Sequence, residues 1–240
     1  PYQHISRQFL TLVEAIDSDT HPKAKRRVSN ETLTIPTIEV GQKEIETAKK
    51  KLYDSAPGIA GKNIVLFYPG GGLLPIRAWP LDYYCRLAAE LLHKGYAVGI
   101  IGLADDKDVA EVILSHNRNQ SCVDLTGYTK TIRELMTIFH FSALLITNDG
   151  GPGHFAAMTP IPSIIFYGPE TPTLYGAMNE NAVNYYLNFS CSPCVTAYNH
   201  RKSPCDGDNL CLKNIQPEKV LARAIEILEG EMFEKNAQNP

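Results

Sequence analysis

Between Asn63 and Tyr167 the chain keeps returning to one pattern: a short apolar run, a turn rich in glycine or acidic residues, then an amphipathic helical stretch. The runs are Ile64–Tyr68, Tyr96–Ile101, Cys122–Leu125, Ala143–Thr147 and Ser163–Tyr167. Helices are expected near Leu81–His93, Asp105–Ser115 and Thr131–Phe139, with a short one after the glycines at 150–153. Near-continuous apolar strands of this length are covered on both faces, and strands alternating with helices make a parallel sheet. A closing amphipathic helix, Pro217–Leu228, carries Pro in its first turn. The fold class is therefore α/β, a Rossmann-like parallel sheet. Crossovers in such sheets are right-handed and ligands bind beyond the carboxyl ends of the strands, so chemistry is to be sought there.

Residues 1–60 have a different texture. Ile5, Phe9, Leu12, Val13 and Ile16 recur at helical spacing, giving a helix over about 4–17. A polar, basic linker (Thr20–Arg27) follows, then a β-prone piece from Thr32 to Ile38 broken by Pro36, then a lysine-rich helix near 41–53. Ala56-Pro57-Gly58 punctuates the entry to the main domain. The expected division is 1–60, 61–230 and a flexible tail over 231–240. With 44% hydrophobic residues a core is easily filled, and 20% charged residues argue against wholesale disorder. A net charge of −3 offers no basic field for nucleic acid. No apolar stretch approaches the roughly 18 residues of a membrane-crossing helix. The chain opens Pro1-Tyr2-Gln3-His4, with neither an initiator Met nor a basic-then-apolar leader, which points to a processed or trimmed product without a secretory signal.

The strand ends carry the informative residues. Pro69-Gly70-Gly71-Gly72 lets backbone N–H groups approach an anion and can cradle a diphosphate, a flexible turn being the plainer alternative. The loop matches neither the phosphate-binding GxxxxGKS/T pattern nor GxGxxG, so nucleotide hydrolysis and dinucleotide redox chemistry lose support. Arg77, in Arg77-Ala78-Trp79-Pro80, is either a phosphate partner or a solvated surface cation. After the second strand, one of Asp105 and Asp106 can cap the next helix while the other holds a ribose diol. The fourth strand runs into Thr147-Asn148-Asp149-Gly150-Gly151-Pro152-Gly153-His154. Asp149 at its tip can accept hydrogen bonds from sugar hydroxyls, and the glycines leave phosphate room at a helix start. His154 taken alone reads as a packing residue. Tyr167-Gly168-Pro169-Glu170-Thr171-Pro172 forms a further loop on the same rim.

Cys85 and Cys122 read as buried thiols in a helix and a strand. Cys191, Cys194, Cys205 and Cys211 crowd together, and only the first pair has metal-ligand spacing. Reduced structural thiols, disulfides and a zinc site all stay open; a cytosolic setting counts against disulfides, and His200 is a surface residue before it is a fourth ligand.

Taken together, the strand-to-Pro-Gly-Gly loop, the basic-x-Trp-Pro at 77–80, the Thr126-Gly127 to Leu135 segment, Asn148-Asp149-Gly150-Gly151-Pro152-x-His154 and Tyr167-Gly168-Pro169 resemble glycosyltransferase family nine, the lipopolysaccharide heptosyltransferases. The resemblance covers about 60–230, the C-terminal, donor-binding domain of a GT-B glycosyltransferase. It implies that Gly70, Gly71 and Gly72 supply amides to the donor diphosphate, that Arg77 neutralises it, and that Asp105 or Asp106 holds the ribose. Thr129 and Lys130 would border the base. Asp149 would bind donor-sugar hydroxyls, Gly150 and Gly151 would present amides to the phosphates, and His154 would support that loop. In relatives an Asp near the start of the N-terminal domain deprotonates the acceptor hydroxyl, and nothing in this chain matches it. No catalytic residue, cofactor or metal is therefore expected here, and residues 1–60 would be the tail of the N-terminal domain and the connector.

The function implied is the donor half of an inverting enzyme that moves a sugar, heptose from ADP-heptose, to lipopolysaccharide core or a related glycan. The half would bind a nucleotide-diphosphate sugar without transferring it alone. Its lipid-linked or lipopolysaccharide acceptor would be reached through the other domain. It would be cytoplasmic, at most peripheral at the inner membrane, with no nucleic-acid partner. The alternatives are another nucleotide-sugar enzyme such as an epimerase, and a non-catalytic nucleotide-binding module.

Overall fold

The apolar runs become neighbours in one parallel sheet. The computed structural model describes residues 4–16, 35–196, 199 and 202–237. The expected linker (Thr20–Arg27), residues 32–34 of the β-prone piece and His200 lie outside them. In chain order the elements are α1 (Ile5–Ile16), α2 (Gln42–Ser55), β1 (Ile64–Tyr68), α3 (Leu81–His93), β2 (Ala97–Gly102), α4 (Lys107–Asn117), β3 (Cys122–Thr126) and α5 (Ile132–Phe139). There follow β4 (Leu144–Asn148), α6 (Gly151–Ala156), β5 (Ser163–Tyr167), α7 (Pro172–Tyr175), β6 (Ala182–Tyr186), α8 (Leu210–Lys213) and α9 (Pro217–Ala237). The strand order is β3-β2-β1-β4-β5-β6, with every pairing parallel. The order reverses between β1 and β4, which pair Tyr68 with Thr147, so the loops after these two strands open side by side.

Successive strand residues serve opposite faces. Val65, Phe67, Val98, Ile100, Leu144 and Ile146 pack with residues of α3, α4 and α9. Ile64, Leu66, Ala97 and Leu145 pack with Leu52 of α2, Ile138 and Phe139 of α5 and Ala156 of α6. Helix α2 and the turn at Pro57–Ile59 are thus packed onto this core, with Leu52 and Ile59 fully buried. Arg133 of α5 pins α2 from outside through Glu44, at 2.8 Å.

Three expectations need correction. Residues 35–41 form no strand: Pro36 has no N–H to give a ladder, and Ile38 makes a single backbone bond to the carbonyl of Met158 (2.8 Å). Strand β6 was not anticipated; it lies at the sheet edge with no fully buried residue, so its apolar signal is weak. Helix α9 continues past the expected end at Leu228 to Ala237.

The turn before β1 also explains Gly58. A Cβ there would lie 1.9 Å from the carbonyl oxygen of Gln120, and the Gly58 carbonyl accepts a bond from Ser121 Oγ at 2.8 Å. Gly58→Ala is expected to destabilise the fold by about 2 kcal/mol, read as a shift of the urea midpoint at unchanged slope.

Candidate functional site

The side chain of Asn148, the last residue of β4, is fully buried and ties together the loops around it. Its Nδ2 donates to the carbonyls of Pro69 (2.8 Å) and Gly70 (3.0 Å), and its Oδ1 accepts from Trp79 N–H (2.9 Å) and Tyr84 O–H (3.1 Å). Trp79 is buried, stacks on Phe166 with centroids 4.4 Å apart, and donates its indole N–H to the carbonyl of Ile215 (2.9 Å). The Trp-Pro signature is therefore an anchor for the loop after β1, not an exposed contact surface.

That loop and the one after β4 meet around the ring of Tyr68. A Cβ on Gly70, Gly72 or Gly150 would come within 3.5, 3.9 and 3.7 Å of the Tyr68 side chain. Gly72 has φ +58°, and a Cβ on Gly71 would fall 2.8 Å from Pro75 Cα, so the loop's own turn demands both glycines. Burial, and then the Asp106 charge, push the Tyr68 phenol above its usual range. Of the two acids after β2, Asp106 faces this cluster. Its Oδ2 accepts from Leu103 N–H (2.7 Å), and its Oδ1 lies 2.8 Å from where a Gly70 Cβ would be. Asp105 is exposed.

Arg77 projects from the short turn Pro75–Arg77 toward two buried carboxylates. Its Nη2 donates to Glu170 Oε2 at 2.6 Å, while its Nε lies 3.8 Å from Asp149 Oδ2 and finds no hydrogen-bond partner. The side chains of Arg77, Asp149 and Glu170 are 15%, 6% and 5% exposed, so the three charges meet largely out of water. Burial, with the Asp149 charge next, drives Tyr167 beneath them far above the ordinary phenol range. The exposed Gly151 opens α6, which is only six residues long. His154 stands on that helix. Burial, then the charges of His4 and Arg77, lower its pKa. His4, just ahead of α1, reaches the same rim through Gly176 O at 3.0 Å.

Thr129 and Lys130 are not drawn into this cluster. Thr129 lines a cavity of about 590 Å³ between α2 and α5 whose walls include none of the glycine loops. Lys130 Nζ turns back onto the carbonyl of Gly127 (2.7 Å). The cysteine segment instead supports the rim from below. Cys194 N–H and Val195 N–H both donate to Pro169 O at 2.9 Å, Ser192 Oγ donates to Gly168 O, and Cys211 Sγ occupies the space a Gly168 Cβ would need. Burial, and then neighbouring Cys194, push the Cys211 thiol up to about 11. Cys191, Cys194, Cys205 and Cys211 are free thiols, and no group of three or more His, Cys, Asp or Glu among the described residues is arranged to hold a metal ion.

The structure thus gathers Gly70, Gly72, Arg77, Asp106, Asp149 and Gly150 at the carboxyl edge of β2, β1 and β4. Tyr68, Asn148 and Glu170 belong to the same cluster and were given no role on sequence grounds. All three stand inside or beside quoted motifs, but their partners are distant in the chain.

The family model described as glycosyltransferase family 9 (heptosyltransferase) matches residues 10–203. A lipooligosaccharide heptosyltransferase 2 of Haemophilus influenzae is 33% identical over 150 residues, which is 61% of this chain and 42% of that protein. The solved ADP-heptose lipopolysaccharide heptosyltransferase II of E. coli superposes with a TM-score of 0.68 at 24% identity, covering 83% of this chain and 55% of its own. A family 9 glycosyltransferase of Veillonella parvula gives 0.69 at 22%, covering 96% and 61%. The chain spans about half the length of the curated relatives it matches. Both solved structures share its fold, and among the described residues no helix is long and apolar enough to cross a membrane.

Proposed function

The chain belongs to glycosyltransferase family 9, the heptosyltransferase family, and from that premise we propose that it binds the nucleotide-diphosphate sugar for transfer of heptose from ADP-heptose to a lipopolysaccharide core or related glycan. The observation that carries this reading is the meeting of the β1, β2, β4 and β5 loops around Tyr68, Asn148 and Arg77. In it, the amides of Gly70–Gly72 and of Gly150 and Gly151 receive the diphosphate, and Arg77 offsets charge on the departing nucleoside diphosphate. Asp106 holds the ribose. Asp149 accepts hydrogen bonds from the sugar. His154 supports that loop. The base-bordering role of Thr129 and Lys130 requires the nucleobase to reach toward the cavity between α2 and α5, where Thr129 is.

Transfer also needs a base for the acceptor hydroxyl and a place for the glycan, and both are assigned to the rest of the whole protein. The enzyme would act at the inner membrane's cytoplasmic face, where this half makes at most a peripheral attachment.

Calorimetry with ADP-heptose tests the reading. The chain is expected to bind it in a 1:1 complex, and Asp149→Asn is expected to weaken that complex by roughly tenfold through loss of charge-assisted bonds to sugar hydroxyls. Equal affinity of wild type and variant would remove Asp149 from the site. Absence of binding to wild type would remove the function.

A further inference from the structure

Glu170 has a buried carboxylate that accepts from Arg77, and no role follows for it from the proposed function. It sits at the β5 end of the rim. Across the sheet, Asp106 follows β2, the glycine loop follows β1, Asp149–Gly151 follow β4, and Glu170 follows β5. A donor laid along this edge with its ribose at Asp106 and its diphosphate over the glycines puts its sugar at Asp149 and Glu170. At that end the Asp149 and Glu170 carboxylates, 6% and 5% exposed, stand beside the Arg77 guanidinium.

We propose that Glu170 is a specificity residue that makes the site prefer the sugar donor over the spent nucleoside diphosphate; the proposal rests on the functional reading above. The chemistry differs between the two ligands at this one position. In the donor the outer phosphate is esterified, so the group reaching Glu170 is a neutral polyol whose hydroxyls donate to carboxylate oxygens. After transfer the outer phosphate is free and carries additional negative charge, now facing Glu170 and Asp149. Like charges out of water repel strongly, and Arg77, shared with Glu170 at 2.6 Å, offsets only part of the charge on the product. The same carboxylate therefore holds the substrate and expels the product. The loop that carries it is fixed from beneath by the bonds of Cys194 and Val195 to Pro169 O, so Glu170 does not simply swing away.

The test is calorimetric titration of ADP and ADP-heptose into wild type, E170Q and E170D. Glutamine keeps an oxygen to accept from Arg77 but removes the charge. E170Q is expected to bind ADP about tenfold more tightly than wild type while gaining nothing for ADP-heptose, so that the preference for donor over product collapses. E170D keeps the charge and is expected to retain the wild-type preference, which also separates a charge effect from a general loosening of the loop. If E170Q leaves the ratio of the two affinities unchanged, or if E170D loses the preference as fully as E170Q, the role assigned to Glu170 is wrong while the donor site stands. If wild type binds neither ligand, the functional reading itself fails and takes this role with it.

Discussion

Asn148→Ala is expected to lower the stability of the protein by about 4 kcal/mol and its melting temperature by roughly 10 °C. Removal of the amide leaves Trp79 N–H without its acceptor and the Pro69 and Gly70 carbonyls without their donor, all at a position with no exposure to water. Each buried group left unpaired costs about 1–3 kcal/mol. Asn148→Asp is expected to do no better than alanine, because a carboxylate oxygen would then face two carbonyl oxygens in place of an N–H₂ donor. Thermal melts of the three proteins decide the matter. A loss below about 1 kcal/mol for Asn148→Ala would mean that the loops after β1 and β4 hold their places without it. ADP-heptose affinity should fall in parallel, since the same side chain fixes the glycine loop.

Arg77→Ala is expected to weaken ADP-heptose binding by roughly 100-fold, equivalent to about 3 kcal/mol. It is also expected to destabilise the free protein, because Asp149 and Glu170 lose their shared cation in a site where each is nearly buried. The two effects can be separated. Adding Glu170→Gln to Arg77→Ala removes one uncompensated charge, so stability should recover in the double variant although binding does not return to the wild-type value. Denaturant titrations of the four proteins in this cycle give the coupling between the two residues. Additive changes would mean that the 2.6 Å contact contributes nothing to the fold. Arg77→Lys keeps a positive charge but loses the planar fork, and an intermediate affinity is expected from it.

Most of the sheet was legible because strands buried on both faces are apolar throughout: Ile64–Phe67 and Leu144–Ile146 are each fully buried, with neighbouring side chains feeding different cores. The edge strand β6 escaped notice because Ala182-Val183-Asn184-Tyr185-Tyr186 is only half covered and carries a central Asn. The site was legible where a local motif announces itself, as at Gly70–Gly72 and Asp149–Gly151. It was not legible where the meaning of a residue lies in a distant partner. Glu170 acquires its significance from Arg77, 93 positions earlier, and Asn148 from Pro69 and Trp79. Neither pairing has a spacing that a linear reading could detect. The cysteines left thiols, disulfides and zinc open on spacing alone; in the fold, Cys194 N–H and Cys211 Sγ prop the Gly168–Pro169 turn from which Glu170 extends.

The chain holds a single tryptophan, and it is Trp79. Its indole is wedged between Phe166 and α9's approach at Ile215, one backbone bond from Asn148. Nature has thus placed one fluorophore at the keystone of the rim, with no second emitter of its kind to blur the signal. Its emission maximum and quenching by acrylamide will read out the integrity of that keystone directly, so every variant described above can be sorted optically into those that disturb the scaffold and those that alter only the ligand's reception.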